Sequence, residues 1–301
     1  MTIHPYKLSF ITVNYNGLED TRAFLARIQS ISFSFSFEVI VIDNGSLKDE
    51  YALLKTEFPF ISGCYSTANL GFAGGNNIGI RLSQGDFLYF INNDTLLPME
   101  ADAQILAMFA FLEQHPEVGG ITPKIKYMEP PDMIQFAGCT PLSKITLRNE
   151  QIGYREFEHG QYNHNLQIPY LHGAAMLLPR HVVDQVGPMP EAYFLYYEEL
   201  DWCCQITKDY QLYYFAEACI YHKESASTGI DSPFKTYYLT RNRLLFAYRN
   251  RAGIIRMLSI LYLVFVANTS KMCSFILKGK WKHVNSIWSG TRAAFTLFKS
   301  K

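Results

Sequence analysis

The first 127 residues alternate between short apolar runs and segments with helical spacing, and no other feature constrains the fold as strongly. Helical spacing fills the intervals between the runs, for example over residues 18–28 and 99–114. Continuous apolar strands that alternate with helices indicate a mostly parallel sheet. The predicted fold class is therefore α/β. The runs predicted as buried strands are residues 8–13, 37–42, 63–66, 87–91 and 120–127.

The composition is typical of a globular protein. Hydrophobic residues make up 49% and charged residues 18% of the 301 residues, which excludes a disordered chain. Six cysteines occur without paired spacing, which argues against a disulfide scaffold and a structural zinc site. The first residues lack the pattern of a secretory signal. We therefore expect a cytosol-facing protein with reduced thiols.

The zero net charge hides a strong asymmetry between two parts of the chain. All 27 acidic residues and 14 of the 27 basic residues lie at or before Asp231, so that part carries −13 and residues 232–301 carry +13. The basic segment is also rich in apolar and aromatic residues, but its longest apolar run, residues 254–266, is shorter than the roughly 20 residues that span a bilayer. These features predict helices that lie in the plane of an anionic membrane surface. The alternative is a helix pair packed on the domain with its basic residues solvated; a nucleic acid partner is not expected, because long apolar stretches do not suit a phosphate-tracking surface.

Polar clusters follow three of the predicted strands. Ligands of parallel sheets bind beyond the carboxyl ends of the strands, so three clusters at one edge predict a ligand site there. The clusters are Asn14 with Asn16, Asp43 with Asn44, and Asn92 and Asn93 with Asp94.

Two of these regions have features expected of a nucleotide site. Asp43 can accept hydrogen bonds from a base imide or a ribose hydroxyl, or it can cap a turn or helix, because Asp-Asn-Gly-Ser is a favourable turn sequence. Residues 69–77, NLGFAGGNN, lack a Walker lysine and the GxGxxG pattern. Their glycines can bring backbone N–H groups to a diphosphate ahead of a helix, or they can serve a loop with unusual dihedral angles.

Acidic and histidine residues supply candidates for metal binding and catalysis. Asp94 is placed to bind a hard cation that bridges two phosphates, or to cap the following helix. His222 closes the predicted strand 218–221 and is either a further metal or phosphate ligand or a structural residue. Residues 198–201, EELD, follow an aromatic run and sit near a helix start, where a carboxylate can act as a base or merely decorate the first turn. The arginines of residues 241–243 either clamp a phosphate or face solvent.

Seven motifs occur in one order along residues 6–250 and resemble the family 2 inverting glycosyltransferases, most closely the rhamnosyltransferase-like branch that builds bacterial polysaccharides. This resemblance implies a GT-A fold with a donor half of about residues 1–127, an acceptor half of about 128–230 and a helical membrane-associating segment, 231–301. The motifs are VNYNG (13–17), VIDNGS (41–46), NLGFAGGNN (69–77), INNDT (91–95), HGAAMLLPR (172–180), FLYYEELDWCCQ (194–205) and YHKESAS (221–227).

The resemblance also implies a role for individual residues. Asp94 and His222 would bind Mg²⁺ or Mn²⁺, although Asn92 stands where the family's DxD-like motif begins with an acid. Glu199 would be the catalytic base, one methylene longer than the usual Asp, next to Glu198 and supported by Asp201. The implied donor-binding residues are Asn14, Asn16, Asp43, Asn69, Gly74, Gly75, Asn76 and Asn93. The implied acceptor-binding residues are His172, Gly173 and Ala174.

The expected activity is transfer of a sugar, with rhamnose among the candidates, from a UDP- or dTDP-sugar to a glycan or lipid-linked glycan. The enzyme is expected at the inner face of the cell membrane, in the synthesis of bacterial surface polysaccharide. A catalytically silent sugar-nucleotide-binding protein and a nucleotidyltransferase are the alternatives. The EELD motif and the absence of a lysine-bearing glycine-rich loop near the start argue against the latter. A membrane-spanning synthase is not expected, since no run is long enough.

Overall fold

The computed structural model describes residues 6–223 and 232–298. Ten strands of the described part form one sheet. They are β1 (Tyr6–Asn14), β2 (Phe37–Asn44), β3 (Ile61–Ser66), β4 (Gly85–Ile91), β5 (Thr95–Leu96), β6 (Val118–Tyr127), β7 (Ile134–Phe136), β8 (Leu166–Ile168), β9 (Ala175–Pro179) and β10 (Gln211–His222). Residues 224–227 of the last motif and the expected boundary near residue 230 lie outside the described residues.

Helices cover the sheet and continue beyond it. Glu191–Tyr193 adds a turn of 3-10 helix, and Tyr262–Asn268 is a π-helical stretch that joins α8 to α9. The α-helices of the described part are α1 (Leu18–Ser30), α2 (Glu50–Glu57), α3 (Gly71–Leu82), α4 (Ala101–Gln114), α5 (Arg180–Val186), α6 (Glu198–Ile206), α7 (Pro233–Asn250), α8 (Gly253–Leu261), α9 (Thr269–Leu277) and α10 (Trp281–Leu297).

The predicted parallel sheet is confirmed in the first half of the chain. Strands β3, β2, β1 and β4 lie side by side and all pair in parallel. The register places Asn14 beside Asp43, so two of the polar clusters share one edge. Further along, β9 runs antiparallel to β4 and β6, whereas β6 and β10 pair in parallel. The fold is therefore α/β with a mixed second half.

Glycines let α3 lie directly against β1. A Cβ atom on Gly75 would lie 2.8 Å from a methyl carbon of Val13, and one on Gly79 would lie 2.3 Å from a methyl carbon of Ile11. Overpacking of this kind costs about 1–3 kcal/mol. The expectation of a glycine-rich loop is corrected here, because Gly74 and Gly75 are buried within the helix.

The basic segment is attached to the rest of the chain through a second hydrophobic core. Leu244 and Phe246 of α7, Leu263 of the π-helical stretch and Ala294 of α10 are buried together with Tyr193, which precedes the EELD motif. The segment therefore packs on the domain, as in the alternative that the sequence left open.

The helix over Gly253–Leu277 is longer than the sequence indicated. It runs for 25 residues, has a mean hydropathy of 1.6 in its most apolar window, and is long and apolar enough to cross a membrane by length and composition alone. Arg256 lies within the apolar run and Asn268 follows it, but the backbone stays helical through both residues. The expectation that no segment could span is therefore corrected. Only 6% of that window is buried.

Candidate functional site

Asn14 and Asn93 join the ends of β1 and β4. Asn14 is fully buried; its Nδ2 donates to a Glu50 carboxylate oxygen at 2.7 Å, and its Oδ1 accepts from the Thr21 hydroxyl at 2.8 Å. Asn93 Nδ2 donates to the same hydroxyl oxygen at 2.8 Å. These expected donor-binding side chains therefore lie together, but their amides already have partners within the protein.

Asn16 turns the chain after β1. It has a φ of 50°. Its N–H donates to the Ser46 hydroxyl at 2.8 Å, and its Oδ1 accepts from the Leu47 N–H at 2.9 Å. Asn16 is exposed, so it lies at the surface of the predicted donor edge and links the loops after β1 and β2.

Asp43 caps α2. It is fully buried, its Oδ1 accepts from the Ser46 N–H at 3.2 Å, and its Oδ2 accepts from the N–H groups of Glu50 and Tyr51 at 2.7 and 3.3 Å. Such a cap contributes about 1 kcal/mol. The structure therefore shows the capping alternative: Asp43 shapes the loop beneath the edge, and its contact with a base stays a prediction.

Asn44 and Asn69 fix the start of α3. Asn44 Nδ2 donates to the Gly71 carbonyl at 3.0 Å, and its Oδ1 accepts from the Leu70 N–H at 3.0 Å. Asn69 Oδ1 accepts from the Gly71 N–H at 2.9 Å. Asn76 is buried and donates to the Phe72 carbonyl one turn back in the helix, so it does not line a loop as expected. Asn44 was part of the strand-end pattern but not of the predicted site.

Asp94 and His222 converge on one point. Asp94 Oδ1 lies 3.2 Å from His222 Nε2, and both side chains are nearly buried. Gln135 Oε1 lies 2.8 Å from His222 Nδ1, and Asn92 Nδ2 lies 3.3 Å from Nε2. An amide oxygen only accepts, so Gln135 favours a hydrogen on Nδ1 and leaves a lone pair on Nε2, which faces an Asp94 oxygen; a cation between these two acceptors would satisfy both.

This arrangement fits a divalent cation. Adjacent oxygen and nitrogen ligands of an octahedral ion lie about 3 Å apart. Gln135, which the sequence did not indicate, accepts a hydrogen bond from the histidine and leaves its Nε2 free to bind a metal. Histidines that bind metals commonly have such a partner on the other ring nitrogen. Among residues 6–223 and 232–298, no cluster of three His, Cys, Asp or Glu side chains could hold a metal. Asp94 and His222 would therefore need oxygens from a substrate diphosphate and water to complete the coordination.

His172 and Gly173 connect the metal pair with the EELD motif. The His172 ring lies 6.3 Å from the His222 ring, and its Nδ1 accepts from the Ala174 N–H at 3.2 Å. Desolvation, with a smaller effect of His222, lowers the pKa of His172 to about 3, so the ring is neutral at physiological pH. A Cβ atom on Gly173 would lie 3.7 Å from the Glu199 Cγ atom. The structure thus brings the expected acceptor residues beside the expected base.

The loop before α6 is strained. Phe194 has φ 66° and ψ −52°, and the Leu195 N–H donates to the Tyr193 carbonyl at 2.8 Å, which makes a γ-turn of the rare left-handed kind. Tyr196 and Tyr197 also have positive φ, 68° and 78°. Such conformations cost about 1–3 kcal/mol each and are retained where the surrounding structure enforces them, often at active sites.

Glu198 and Glu199 begin α6 with different surroundings. Glu198 is buried, and its Oε2 has no hydrogen-bond partner among the described residues. Burial, and then the neighbouring Glu199 carboxylate, raise the pKa of Glu198 well above its ordinary value. Burial also raises the pKa of half-buried Glu199, while backbone N–H groups at the start of α6 oppose the rise. The rise is larger for Glu198, so Glu198 holds a proton more readily than Glu199 does.

Asp201 ties α6 to α7. Its Oδ2 accepts from Arg249 Nε at 2.6 Å and its Oδ1 from Asn250 Nδ2 at 3.0 Å, both on α7. The expected support of Glu199 by Asp201 stays a prediction. Arg241 and Arg243 likewise bind backbone carbonyls, of Tyr193 and of Thr146 respectively, in place of a phosphate or solvent.

The overall architecture resembles solved GT-A glycosyltransferases. S. aureus TarS 1-349 in complex with UDP-GlcNAc superposes with a TM-score of 0.59 at 15% identity, covering 98% of this chain and 83% of that one. The mannosyltransferase PcManGT from Pyrobaculum calidifontis in complex with GDP-Man and Mn²⁺ gives 0.57 at 15% identity, covering 98% and 81%. At this identity the likeness establishes the fold, which confirms the predicted GT-A architecture.

Sequence comparison identifies the family. The low-salt glycan biosynthesis hexosyltransferase Agl10 of Haloferax volcanii is 27% identical over 256 residues, which cover 79% of this chain and 74% of that protein. The model of glycosyl transferase family 2 matches residues 9–187, more than half of the chain. The chain therefore belongs to glycosyl transferase family 2.

Proposed function

We propose that the protein is a metal-dependent inverting glycosyltransferase with Glu199 as its base. The observation that carries this proposal is that neighbouring residues connect the candidate metal ligands with the candidate base. Asp94 and His222 lie close enough together to hold a cation, and His172 and Gly173 lead from that pair to the Glu199 carboxylate. Sugar transfer by a single displacement requires a base for the acceptor hydroxyl and a positive centre that stabilises the leaving diphosphate, one on each side of the acceptor.

The relatives support a nucleotide-sugar donor. TarS has been solved with UDP-GlcNAc and with UDP, and PcManGT with GDP-Man and Mn²⁺. Agl10 is a hexosyltransferase of glycan biosynthesis. We propose a UDP- or dTDP-sugar as donor and include rhamnose among the sugars, because the motif order is similar to the rhamnosyltransferase-like branch.

The chemistry follows from the side chains. A bound Mg²⁺ or Mn²⁺ ion would stabilise the negative charge of the leaving diphosphate. The Glu199 carboxylate accepts the proton of an acceptor hydroxyl, and that oxygen forms a bond to the anomeric carbon on the face opposite the diphosphate. The bond from the anomeric carbon to the diphosphate oxygen breaks, so the configuration inverts. The proton on Glu199 then passes to solvent, and neutral His172 can accept or donate a hydrogen bond without adding charge.

A donor panel tests this function. UDP, dTDP, GDP and CDP are added with and without Mn²⁺ while the unfolding temperature is recorded. A ligand at a hundred times its Kd stabilises the native state by about 2.7 kcal/mol. We expect a Mn²⁺-dependent shift with UDP or dTDP, followed by turnover of a matching sugar nucleotide to a product of inverted anomeric configuration by NMR. Absence of any shift in folded protein contradicts the proposal, and binding without turnover indicates a silent binding protein.

We also propose that the basic segment lies on the anionic inner face of the cell membrane, near a lipid-linked acceptor for bacterial surface polysaccharide. Residues 232–301 contain 13 basic and no acidic residues. One side of the long helix packs on the protein, where Leu263 is buried and the Ser259 hydroxyl donates to the Ile145 carbonyl at 2.7 Å. This one-sided packing favours a helix in the membrane plane over one that crosses it. Exposed apolar side chains cover the other surfaces: Ile254, Met257, Phe265, Val266, Leu277, Trp281, Trp288 and Phe295.

Vesicle flotation tests the membrane proposal. The protein is mixed with vesicles of phosphatidylcholine alone or with phosphatidylglycerol, at low and high salt. We expect flotation with the anionic vesicles, weakened by salt and by Phe265→Glu. Leu106→Glu, at an exposed position of α4, is the control, and this variant should float like the wild type. Failure to float with anionic vesicles at low salt contradicts the proposal, and resistance of the cellular protein to alkaline extraction would show a crossing helix instead.

A further inference from the structure

Helix α7 binds the strained loop that precedes the candidate base. Asn242 is fully buried, and its Nδ2 lies 2.9, 2.6 and 2.9 Å from the carbonyl oxygens of Tyr193, Leu195 and Tyr196. Arg241 adds hydrogen bonds from Nη2 to the carbonyl of Tyr193 and, at 3.3 Å, to that of Ala192. One amide thus contacts three carbonyls of a loop whose backbone would not hold this shape by itself.

The amide of Asn242 is itself fixed. Its Oδ1 accepts from Arg241 Nε at 2.8 Å, so both N–H groups of the side chain point at the loop. An aspartate would place acceptors against acceptors, and an alanine would leave three carbonyl oxygens without this donor in a buried setting. Asparagine therefore meets a requirement that other side chains of its size do not meet.

The opposite side of the motif is also held by α7. Asp201, two residues after Glu199, accepts hydrogen bonds from Arg249 and Asn250. The loop also contacts α3, where the Phe72 N–H donates to the Phe194 carbonyl at 2.8 Å. Residues on both sides of Glu199 are therefore bound to one helix, and that helix belongs to the basic segment.

We infer that Asn242 is a positioning residue for sugar transfer: it holds the strained 193–197 loop so that the Glu199 carboxylate faces the acceptor segment at Gly173. This inference rests on the proposed function, in which Glu199 is the base. A displacement of about 1 Å in a reacting group can reduce a rate by about 100-fold, so a relaxed γ-turn is sufficient to impair proton transfer. The hydrogen bonds of Asn242 go to the loop and to Arg241, so we expect its loss to impair proton transfer more than donor binding.

The test compares Asn242→Ala with a matched buried asparagine. Asn77 is also nearly buried, and its Nδ2 donates to the Met189 carbonyl at 2.9 Å and to Glu191 Oε1 at 2.8 Å, both before the strained loop. Kinetic constants, nucleotide Kd and hydrogen exchange over residues 193–201 are measured for Asn242→Ala, Asn77→Ala and Glu199→Gln. We expect Asn242→Ala to lower kcat about 10- to 100-fold, with donor KM and nucleotide Kd within about threefold, and to speed exchange in the loop. Asn77→Ala should keep kcat when assayed below its unfolding temperature.

The outcomes separate the two proposals. If Glu199→Gln retains wild-type turnover, the base assignment fails. If Glu199→Gln is inactive but Asn242→Ala keeps kcat, or loses it only in proportion to Asn77→Ala, the positioning role fails. Asn242→Ser keeps one donor and should give an intermediate kcat; it replaces the alanine variant if that protein does not fold, with the same criteria. A shifted acidic limb of the pH–rate profile in Asn242→Ser supports a displaced Glu199, and an unchanged kcat contradicts it.

Discussion

The acidic residues at the end of β2 and around the start of α6 fall into two sets: Asp43 and Asp201, which hold elements of the fold together, and the neighbouring Glu198 and Glu199. Asp43 accepts three backbone N–H bonds and Asp201 accepts two side-chain bonds, and both are buried. Glu198 is equally buried, yet one of its oxygens has no hydrogen-bond partner in the described part of the chain, and Glu199 lies half-exposed beside Gly173. The carboxylates that tie elements together maintain the fold, whereas half-exposed Glu199, beside buried Glu198 with its unpaired oxygen, is the candidate for chemistry.

The same distinction applies to the strain in the backbone. In the described donor half Asn16 is the only residue besides glycine with positive φ, whereas three such residues stand directly before Glu198. Strain of this kind is retained because Asn242 and Phe72 bind the loop from two sides. Mutations near the start of α6 should therefore change kcat more than stability, and mutations at the end of β2 should change stability more than kcat. Four predictions examine this difference.

The largest effect is expected from Glu199→Gln. The amide cannot take a proton from the acceptor, and loss of a general base lowers kcat by about 10²–10⁴-fold. Because burial raises the pKa of Glu199, wild-type kcat should rise with pH through a value above 4.5, and the variant should lose that limb. The control is the variant's unfolding temperature, which should not fall. Full activity in Glu199→Gln would show that the unsatisfied carboxylates are not the catalytic ones.

The next effect concerns Gln135, the partner of His222. Gln135→Leu removes the acceptor for His222 Nδ1–H, so the ligating tautomer is no longer enforced. Loss of such second-layer partners lowers metal affinity or activity by about 10–100-fold. Mn²⁺ affinity is measured by titration in the presence of saturating nucleotide. Gln104→Leu, which loses a hydrogen bond to the Cys219 N–H on the same strand, is the control and should bind Mn²⁺ normally; equal losses in both variants would contradict the prediction.

The local pattern of the sequence was sufficient to predict the first half of the fold. Strand periodicity identified β1, β2, β3, β4 and β6, and polar strand ends identified the edge where Asn14, Asp43 and Asp94 lie. The partners of those residues could not be predicted, because the α2 N–H groups that satisfy Asp43 depend on where the helix begins.

Long-range contacts limited the prediction of the second half. Gln135 is 87 residues from His222 and Asn242 is 47 residues from Leu195 along the chain, and no local pattern connects such pairs. The length of the helix 253–277 was also underestimated, since single polar residues end an apolar run but not a helix. The EELD motif was recognised by its resemblance to a family, whereas its strain and its missing hydrogen bond are visible only in three dimensions.

Asp43→Ala should change stability more than catalysis. The substitution leaves buried N–H groups of Ser46, Glu50 and Tyr51 without their acceptor and should lower the free energy of unfolding by about 1–3 kcal/mol. Asp49→Ala removes an exposed cap of the same helix, a single bond to the Ala52 N–H, and should cost about 0.5–1 kcal/mol. Urea denaturation measures both values. Per folded molecule, kcat should stay close to the wild type; a large kcat loss in Asp43→Ala would place it among the catalytic carboxylates.

The smallest effect is expected in the pH dependence of the free energy of unfolding, which distinguishes Glu198 from Asp43 and Asp201. Its pKa in the native protein is raised above the ordinary 4.5 by burial, so the native state binds more protons than the unfolded state above that pH. Its contribution to stability is therefore full below pH 4.5 and is lost as pH rises toward the native pKa. Glu198→Gln, neutral at every pH, should lack this decline and be more stable than the wild type near pH 8 by on the order of 1 kcal/mol. Denaturation in urea at pH 5 and pH 8 measures the difference between the two proteins. Parallel curves would mean that Glu198 is ionised and satisfied in the native state, and that the contrast with Asp43 and Asp201 does not hold.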